Sequence, residues 1–398
     1  MLLLFPANDE RLTTNDVFSS GGTMKVPYSY LKEQFSNPEP ILNAFKEQLN
    51  RCEFTFGREL EEFEKNMARY TGAKYVLGTS SGTMALSMLL RASGVGYNDE
   101  VITVSQTFIA TVGSITGIGA RPYFIDVLED FTMDPALIEK AITPKTKAIM
   151  PVHYSGNPAH MDEIVKIADK HKLPVIEDAC CAISGKINGK HVGTFGVSGA
   201  FSVHPLKNLN VWGDGGFIIT NSKDIYEKVV LLRNHGLKGR DEVELFGYNA
   251  RLDTIQAIVG NYLFGQIDDI TDKRIANAGK YDKALSSGKA VNFITIPQRR
   301  KGVRHVYHMY MFLAKHRDKL LKWLIDRGIE AKVHYPIPVH LQKASLNQKE
   351  PFGMTGLSRT VQQCSSLISL PVHQHLSAEQ TDFAIETIEE FYGKELWK

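Results

Sequence analysis

Between residue 38 and about residue 220 the chain keeps one rhythm, a short unbroken apolar run, a turn, and then a segment with apolar residues at helical spacing. Val101–Val104 is such a run, placed after the turn Tyr97-Asn98-Asp99, and Tyr123–Val127, Lys147–His153 and Leu173–Ile176 are others. Runs that do not alternate with polar residues suit strands covered on both faces. Between them Asp134 is a good helix N-cap and Pro135 a good first helical residue, with Leu137, Ile138, Ala141 and Ile142 following at helical spacing. Met161, Ile164, Val165 and Ala168 repeat the pattern in the next unit. This alternation predicts an α/β fold with a mostly parallel central sheet and helices on both sides.

After about residue 222 the pattern changes. A helix is expected over Asp224–Arg233, and a longer one from Leu252 to about Leu285 is expected to bridge two domains. The tail reads as a smaller α+β unit, with strands at Val306–Ala314, Ala331–Tyr335 and Leu367–Leu370 and helices at Asp318–Arg327 and Ser377–Tyr392. The expected organisation is an N-terminal arm (1–37), a large α/β domain (38–260), and a bridging helix with a small C-terminal α+β domain (261–398).

A formal charge of +2, from 46 basic and 44 acidic residues, argues against a nucleic-acid or membrane-surface binder. The local basic run Arg299, Arg300, Lys301 and Arg304 reads either as a solvated loop or as a contact to a substrate phosphate. Cys52, Cys180, Cys181 and Cys364 lack paired zinc spacing and read as reduced thiols. The apolar start Met1–Pro6 is too short for a signal peptide, and no stretch approaches the roughly 20 apolar residues of a membrane span. A cytoplasmic protein is expected.

Four segments could carry chemistry. The run Leu173–Ile176 ends in Glu177-Asp178, and ligands bind beyond the carboxyl ends of parallel strands, although aspartate also starts turns. Ser202 and Lys207 lie in Phe201-Ser202-Val203-His204-Pro205-Leu206-Lys207, followed by Gly213-Asp214-Gly215-Gly216. A lone lysine is usually a solvated charge, but these glycines permit close backbone approach. Gly78-Thr79-Ser80-Ser81-Gly82-Thr83 leads into an apolar helical stretch, which is either a capped helix start or a phosphate site. It is neither a Walker A loop nor a dinucleotide fingerprint. Phe108, just after Val101–Val104, could stack on a flat cofactor or sit in the core.

In combination these segments resemble the DegT/DnrJ/EryC1/StrS sugar aminotransferases, fold type I enzymes of the aspartate aminotransferase-like group that use pyridoxal 5'-phosphate (PLP). The matching stretches are SSGTMAL, TFIAT, VIEDACCA, FSVHPLKNL with GDGG, RNHG, GYNARLDTIQA and HYPIPVHLQ, in the family's order over roughly residues 50 to 375. The resemblance implies that Lys207 carries the covalent link to PLP, Asp178 pairs with the pyridine nitrogen and Phe108 stacks on the ring. It implies that Gly82, Thr83 and Ser202 hold the phosphate. Asn249 would reach the phosphate bound by a neighbouring subunit, giving a homodimer with shared sites. His308, Tyr310, His334, Tyr335 and His340 match segments on the substrate side, although His334 and His340 could also be turn or core histidines. One departure stands out. Where family members often carry glutamine against the ring hydroxyl, this chain has Cys181, a poor hydrogen-bond donor.

The implied reaction takes an amino group from glutamate or glutamine and gives it to a keto-sugar, with a nucleotide-linked 3-keto sugar favoured by HYPIPVHLQ. Lys207 would shuttle the proton, and apolar or cationic surroundings would lower its pKa. Two other readings stand beside this one, a PLP-dependent dehydratase or aromatising enzyme on a cyclitol or aminoshikimate substrate, and a non-catalytic PLP-binding regulator.

Overall fold

The computed structural model describes residues 24–398. The apolar start Met1–Pro6 and most of the expected arm lie outside the described residues. The main sheet is built from β1 (Tyr75–Thr79), β2 (Glu100–Val104), β3 (Arg121–Ile125), β4 (Thr146–Ile149), β5 (Ile176–Asp178), β6 (Ser198–Ser202) and β7 (Gly216–Thr220). Backbone pairing gives the order β1-β7-β6-β5 on one side and β4-β2-β3 on the other. Parallel bridges Ile149–Val175 and Val152–Asp178 join the halves. β7 runs antiparallel to both β1 and β6, and the other pairings are parallel. The mostly parallel α/β sheet expected from the sequence is present.

Nearly every strand residue of this sheet is buried, because helices cover it. The helices of eight or more residues are α1 (Glu39–Arg51), α2 (Arg58–Thr71), α3 (Gly82–Ala92), α4 (Ile109–Thr116), α5 (Met161–His171), α6 (Lys223–Leu232), α7 (Thr254–Phe264), α8 (Ile267–Leu285), α9 (Arg317–Asp326), α10 (Ser358–Ser366) and α11 (Ala378–Gly393). Leu60, Phe63 and Met67 of α2 pack with Ala257, Val259 and Leu263 of α7 on one side of the sheet. Ala85, Leu86 and Leu89 of α3 join Val229 of α6 in another core.

A separate apolar core surrounds β8 (Tyr310–Ala314) and β9 (Leu367–Leu370), which pair antiparallel. It is built from Tyr281 and Leu285 of α8, Leu320 and Leu324 of α9, Ile388 and Phe391 of α11, and also Val26. Ser377 caps α11 in a reciprocal box with Gln380, two orphan helix donors satisfied at once.

Several expected boundaries move. The segment Leu252–Leu285 is two helices, since α7 stops at Phe264 and α8 starts at Ile267 after Gly265 and Gln266. Glycine ends helices readily, and apolar spacing that continues across the break conceals it. β5 starts at Ile176 rather than Leu173; Pro174 has no N–H to give to a ladder, while its carbonyl accepts from the amide of Ile149. Ala331–Tyr335 contributes only a bridge from Lys332 to Ser369. After Asp134, whose side chain accepts from the amide of Ala136, a short 3₁₀ turn precedes a single helical turn, Ile138–Ala141.

Candidate active site

The carboxyl ends of β1, β5 and β6 lie on one edge of the sheet, and the segments that follow them meet there around a cavity of about 460 Å³. After β1, Ser81 caps α3, its hydroxyl accepting from the amide of Met84 at 3.1 Å. Gly82 and Thr83 form the first turn, where helical N–H groups have no intrahelical partner. A Cβ on Gly82 would sit 2.7 Å from the Cys180 sulfur and 3.0 Å from Ser202 Cβ, so only glycine lets the ledge lie this close to its neighbours. Ser81, Gly82, Thr83 and Ser202 all line the cavity, and a helix N-terminus with adjacent hydroxyls suits a phosphate.

β5 delivers two carboxylates with different surroundings. Glu177 points away from the cavity and is fully buried. Its Oε1 accepts from the amides of Phe195 at 2.7 Å and Gly196 at 2.8 Å, and its Oε2 from the amide of Gly193 at 2.6 Å. Oε2 also lies 3.0 Å from His153 Nε2, while His153 Nδ1 accepts from the amide of Ala159 at 2.9 Å, so Nε2 carries the proton and donates to Glu177. Asp178 faces the cavity. Its Oδ2 accepts from the Thr111 hydroxyl at 2.7 Å and its Oδ1 from the amide of Cys180 at 3.2 Å. Phe108, at the N-cap of α4, is half exposed on the opposite wall, its ring 5.9 Å from that of Tyr335.

Lys207 sits in the turn between β6 and β7. Leu206 takes a left-handed conformation (φ 74°) to make that turn, an uncommon state for a residue with a side chain. The Lys207 backbone amide donates to the carbonyl of His204 at 3.1 Å, and its carbonyl accepts from the Tyr30 hydroxyl at 3.0 Å and from the Asn210 side-chain Nδ2 at 2.9 Å. The amine lines the cavity 3.1 Å from the Cys181 sulfur. Burial disfavours its charge, but Cys181 and Cys180 act in the opposite direction and prevail, leaving the Lys207 pKa raised. The lowering expected from apolar surroundings is therefore not found.

On the far side, His308, His334 and Tyr335 reach the cavity, joined by Tyr28 and Tyr154. Burial, then Lys207 and Arg274, holds the His308 pKa well below its ordinary value. Burial, with Lys332 and Lys207, brings His334 to about 4, so both rings are neutral near pH 7. Burial and Cys181 push the Tyr335 phenol up to about 12 against the pull of Lys207.

Three other expected site residues do not line this cavity. Tyr310 is fully buried in the core around β8, its hydroxyl donating to Asp282 at 2.9 Å. His340 is buried against Ser105, with Nδ1 2.7 Å from the hydroxyl. Asn249 is exposed and bridges to Asn234. In the basic run, Arg299 pairs with Asp282 through two bonds of 2.8 and 2.9 Å, Arg300 with Asp130 at 3.2 Å and Arg304 with Asp272 at 2.7 Å. These arginines are neither free in solvent nor part of the cavity.

The model of the DegT/DnrJ/EryC1/StrS aminotransferase family matches residues 36–389. The chain belongs to this family. DegT/DnrJ/EryC1/StrS relatives cover almost all of it. A protein of Geobacillus stearothermophilus named as a pleiotropic regulatory protein is 40% identical over 373 residues, 93% of this chain and 99% of its own length. A dTDP-3-amino-3,4,6-trideoxy-alpha-D-glucose transaminase of Streptomyces venezuelae is 35% identical, covering 94% of this chain and 98% of the transaminase. The structure of NtdA from Bacillus subtilis with bound cofactor PMP superposes with a TM-score of 0.86 at 32% identity, over 93% of this chain and 85% of that one. The DegT/DnrJ/EryC1/StrS chain described here is thus a fold type I aminotransferase with PLP as its cofactor. Its cavity suits that molecule, offering an amine for an aldehyde, a carboxylate for a ring nitrogen, and a glycine-floored helix N-terminus for a phosphate. Among the described residues no helix is long and apolar enough to cross a membrane.

The sequence did not single out Thr111, Tyr28 or Tyr154. Thr111 was within reach, since TFIAT places two threonines one helical turn apart. Nothing in the local pattern marks the two tyrosines.

Proposed function

We propose that this enzyme moves an amino group from glutamate or glutamine to C3 of a nucleotide-linked keto-sugar, working as a homodimer. The observation that carries the reading is the convergence of Lys207, Asp178, Phe108 and the Ser81–Thr83 ledge on one cavity. The 3-amino nucleotide sugar in the name of the Streptomyces relative supports the choice of substrate class.

When bound, PLP supplies an electron sink and carries nitrogen between the two substrates. Asp178 holds the ring nitrogen and its proton. The N–H groups of Gly82 and Thr83, with the Thr83 and Ser202 hydroxyls, hold the phosphate, and Asn249 reaches the phosphate in the partner subunit. Phe108 covers one face of the ring and keeps water from it. Lys207 anchors the cofactor between turnovers. Once released, its amine would take the proton from the donor's α carbon as a base and give it back as an acid. Cys181 stands where the family often has a glutamine against the ring hydroxyl. His308 and His334, both neutral, and the Tyr335 phenol form hydrogen bonds to sugar hydroxyls.

Borohydride reduction of the protein with PLP, followed by peptide mapping, is expected to fix a pyridoxyl group on Lys207. Glutamate added to the unreduced protein is expected to convert bound cofactor to the pyridoxamine form. The regulatory name of the 40% identical relative favours a second reading, a PLP-binding regulator. A protein that binds PLP at Lys207 but is not converted by glutamate or glutamine would fit that reading instead.

A further inference from the structure

We infer that Thr111 is a positioning residue for the reaction, holding the Asp178 carboxylate toward the cofactor through a two-hydroxyl relay that starts at Thr107. The inference rests on the role proposed for Asp178. The Thr111 hydroxyl lies 2.7 Å from Asp178 Oδ2 and 2.7 Å from the Thr107 hydroxyl. Thr111 is 1% exposed, Thr107 4% and Asp178 5%, so bulk water does not compete for these bonds.

Proton counting sets the direction. A hydroxyl has one proton to give. Both Asp178 oxygens are acceptors, so the Thr111 proton points at Oδ2. The Thr111 oxygen then presents only lone pairs to Thr107, which must be the donor in that pair. Each bond polarises the next toward the carboxylate. Oδ1 is held separately by the amide of Cys180. With one partner on each oxygen, the carboxylate cannot rotate without breaking a buried bond, and its remaining lone pairs face the cavity. Thr111 lies in the first turn of α4, three residues after Phe108 at its N-cap. The same short segment therefore places the ring-covering aromatic and aligns the acid for the ring nitrogen.

The test compares Thr111→Val, nearly equal in volume, with Thr111→Ser, which keeps the hydroxyl. A hydrogen bond to a charged group is worth about ten- to hundred-fold in an equilibrium or rate. For Thr111→Val the donor half-reaction rate is expected to fall by about that factor, with the KM for glutamate within about twofold, because the lost bond acts on the ring and not on the donor. PLP affinity, measured by equilibrium dialysis, is expected to weaken in the same direction, while the apo-protein melting temperature stays within about 2 °C. Thr111→Ser is expected to recover most of both losses. If the valine variant does not fold, Thr107→Ala serves in its place and is expected to cause a smaller loss of the same kind.

A valine variant with wild-type rate and PLP affinity overturns the inference. So does a serine variant as impaired as valine, or a Thr107→Ala variant without effect where it stands in for valine. The Asp178→Asn background separates the two claims. If Asp178→Asn alone is silent, the role proposed for Asp178 fails. If it is severe and Thr111→Val in the wild-type protein is silent, only the relay fails.

Discussion

Replacing Glu177 by glutamine tests how the catalytic edge of the sheet is held. The substitution changes one atom and nothing in volume. In the wild-type protein four N–H groups converge on the two carboxylate oxygens, two on each. An amide offers one oxygen and one NH₂, so whichever way it turns, two of the four N–H groups face a donor. His153 cannot relieve the conflict by changing tautomer, because its Nδ1 already accepts from Ala159. Two bonds to a charged group are lost, and two buried donors are left without acceptors. Each buried donor left without an acceptor costs about 1–3 kcal/mol, so the two together cost about 2–6 kcal/mol. Urea unfolding of Glu177→Gln followed by circular dichroism is expected to give a loss in that range. A loss below about 1 kcal/mol would show that the site relaxes or admits water, and the reasoning would fail. The loop 191–196 that Glu177 ties down should also become the first region to gain amide exchange.

Three further outcomes are expected. Lys207→Ala should abolish turnover while the protein still takes up PLP non-covalently, measured by dialysis and absorbance; normal transamination by that variant would remove Lys207 from its role. Cys181→Ala deletes the sulfur 3.1 Å from the Lys207 amine and leaves burial, which disfavours the ammonium, so the midpoint for covalent capture of PLP by the apo-protein should move to lower pH, and an unmoved midpoint would contradict it. His191 is buried, with Nδ1 donating to the Val192 carbonyl and Nε2 accepting from the amide of Ser184, and burial brings its pKa to about 4. The unfolded chain, with an ordinary histidine near 6.5, binds the proton first as pH falls, so the folded state loses up to about 1.4 kcal/mol per pH unit between pH 6.5 and 4. His191→Gln should flatten that part of the stability curve.

The sheet was legible because β2, β3 and β4 are apolar runs whose burial needs nothing beyond their own residues. The helix break at Gly265 was not, because apolar spacing continues across it, and Ile267 at the start of α8 still joins the core of α7 while only Ala278, Tyr281 and Leu285 further on serve another. Lys207, Asp178, Gly82 and Phe108 were legible as short motifs, and they share one cavity. Tyr310 and His340 came from motifs that mark a segment without fixing where a side chain points. On β8, Tyr310 and Phe312 join one core while Met311, like Met309 just before the strand, joins another, so a shift of one residue decides which side is reached. The structural duty of Glu177 could not be read beforehand, because most of its partners are backbone amides from a distant loop. The raised pKa of Lys207 depends on a sulfur that only the folded chain brings to the amine.

The bonds around Lys207 divide the residue into two parts with different freedom. Its peptide group is fastened on both sides, by the loop's own turn and by a phenol from near the N-terminal end of the described chain. Its four-carbon stem ends at a thiol, a weak partner that is easily left. In the role proposed for Lys207, the amine swings away from the cofactor and comes back along the same arc, because the point it swings from does not move.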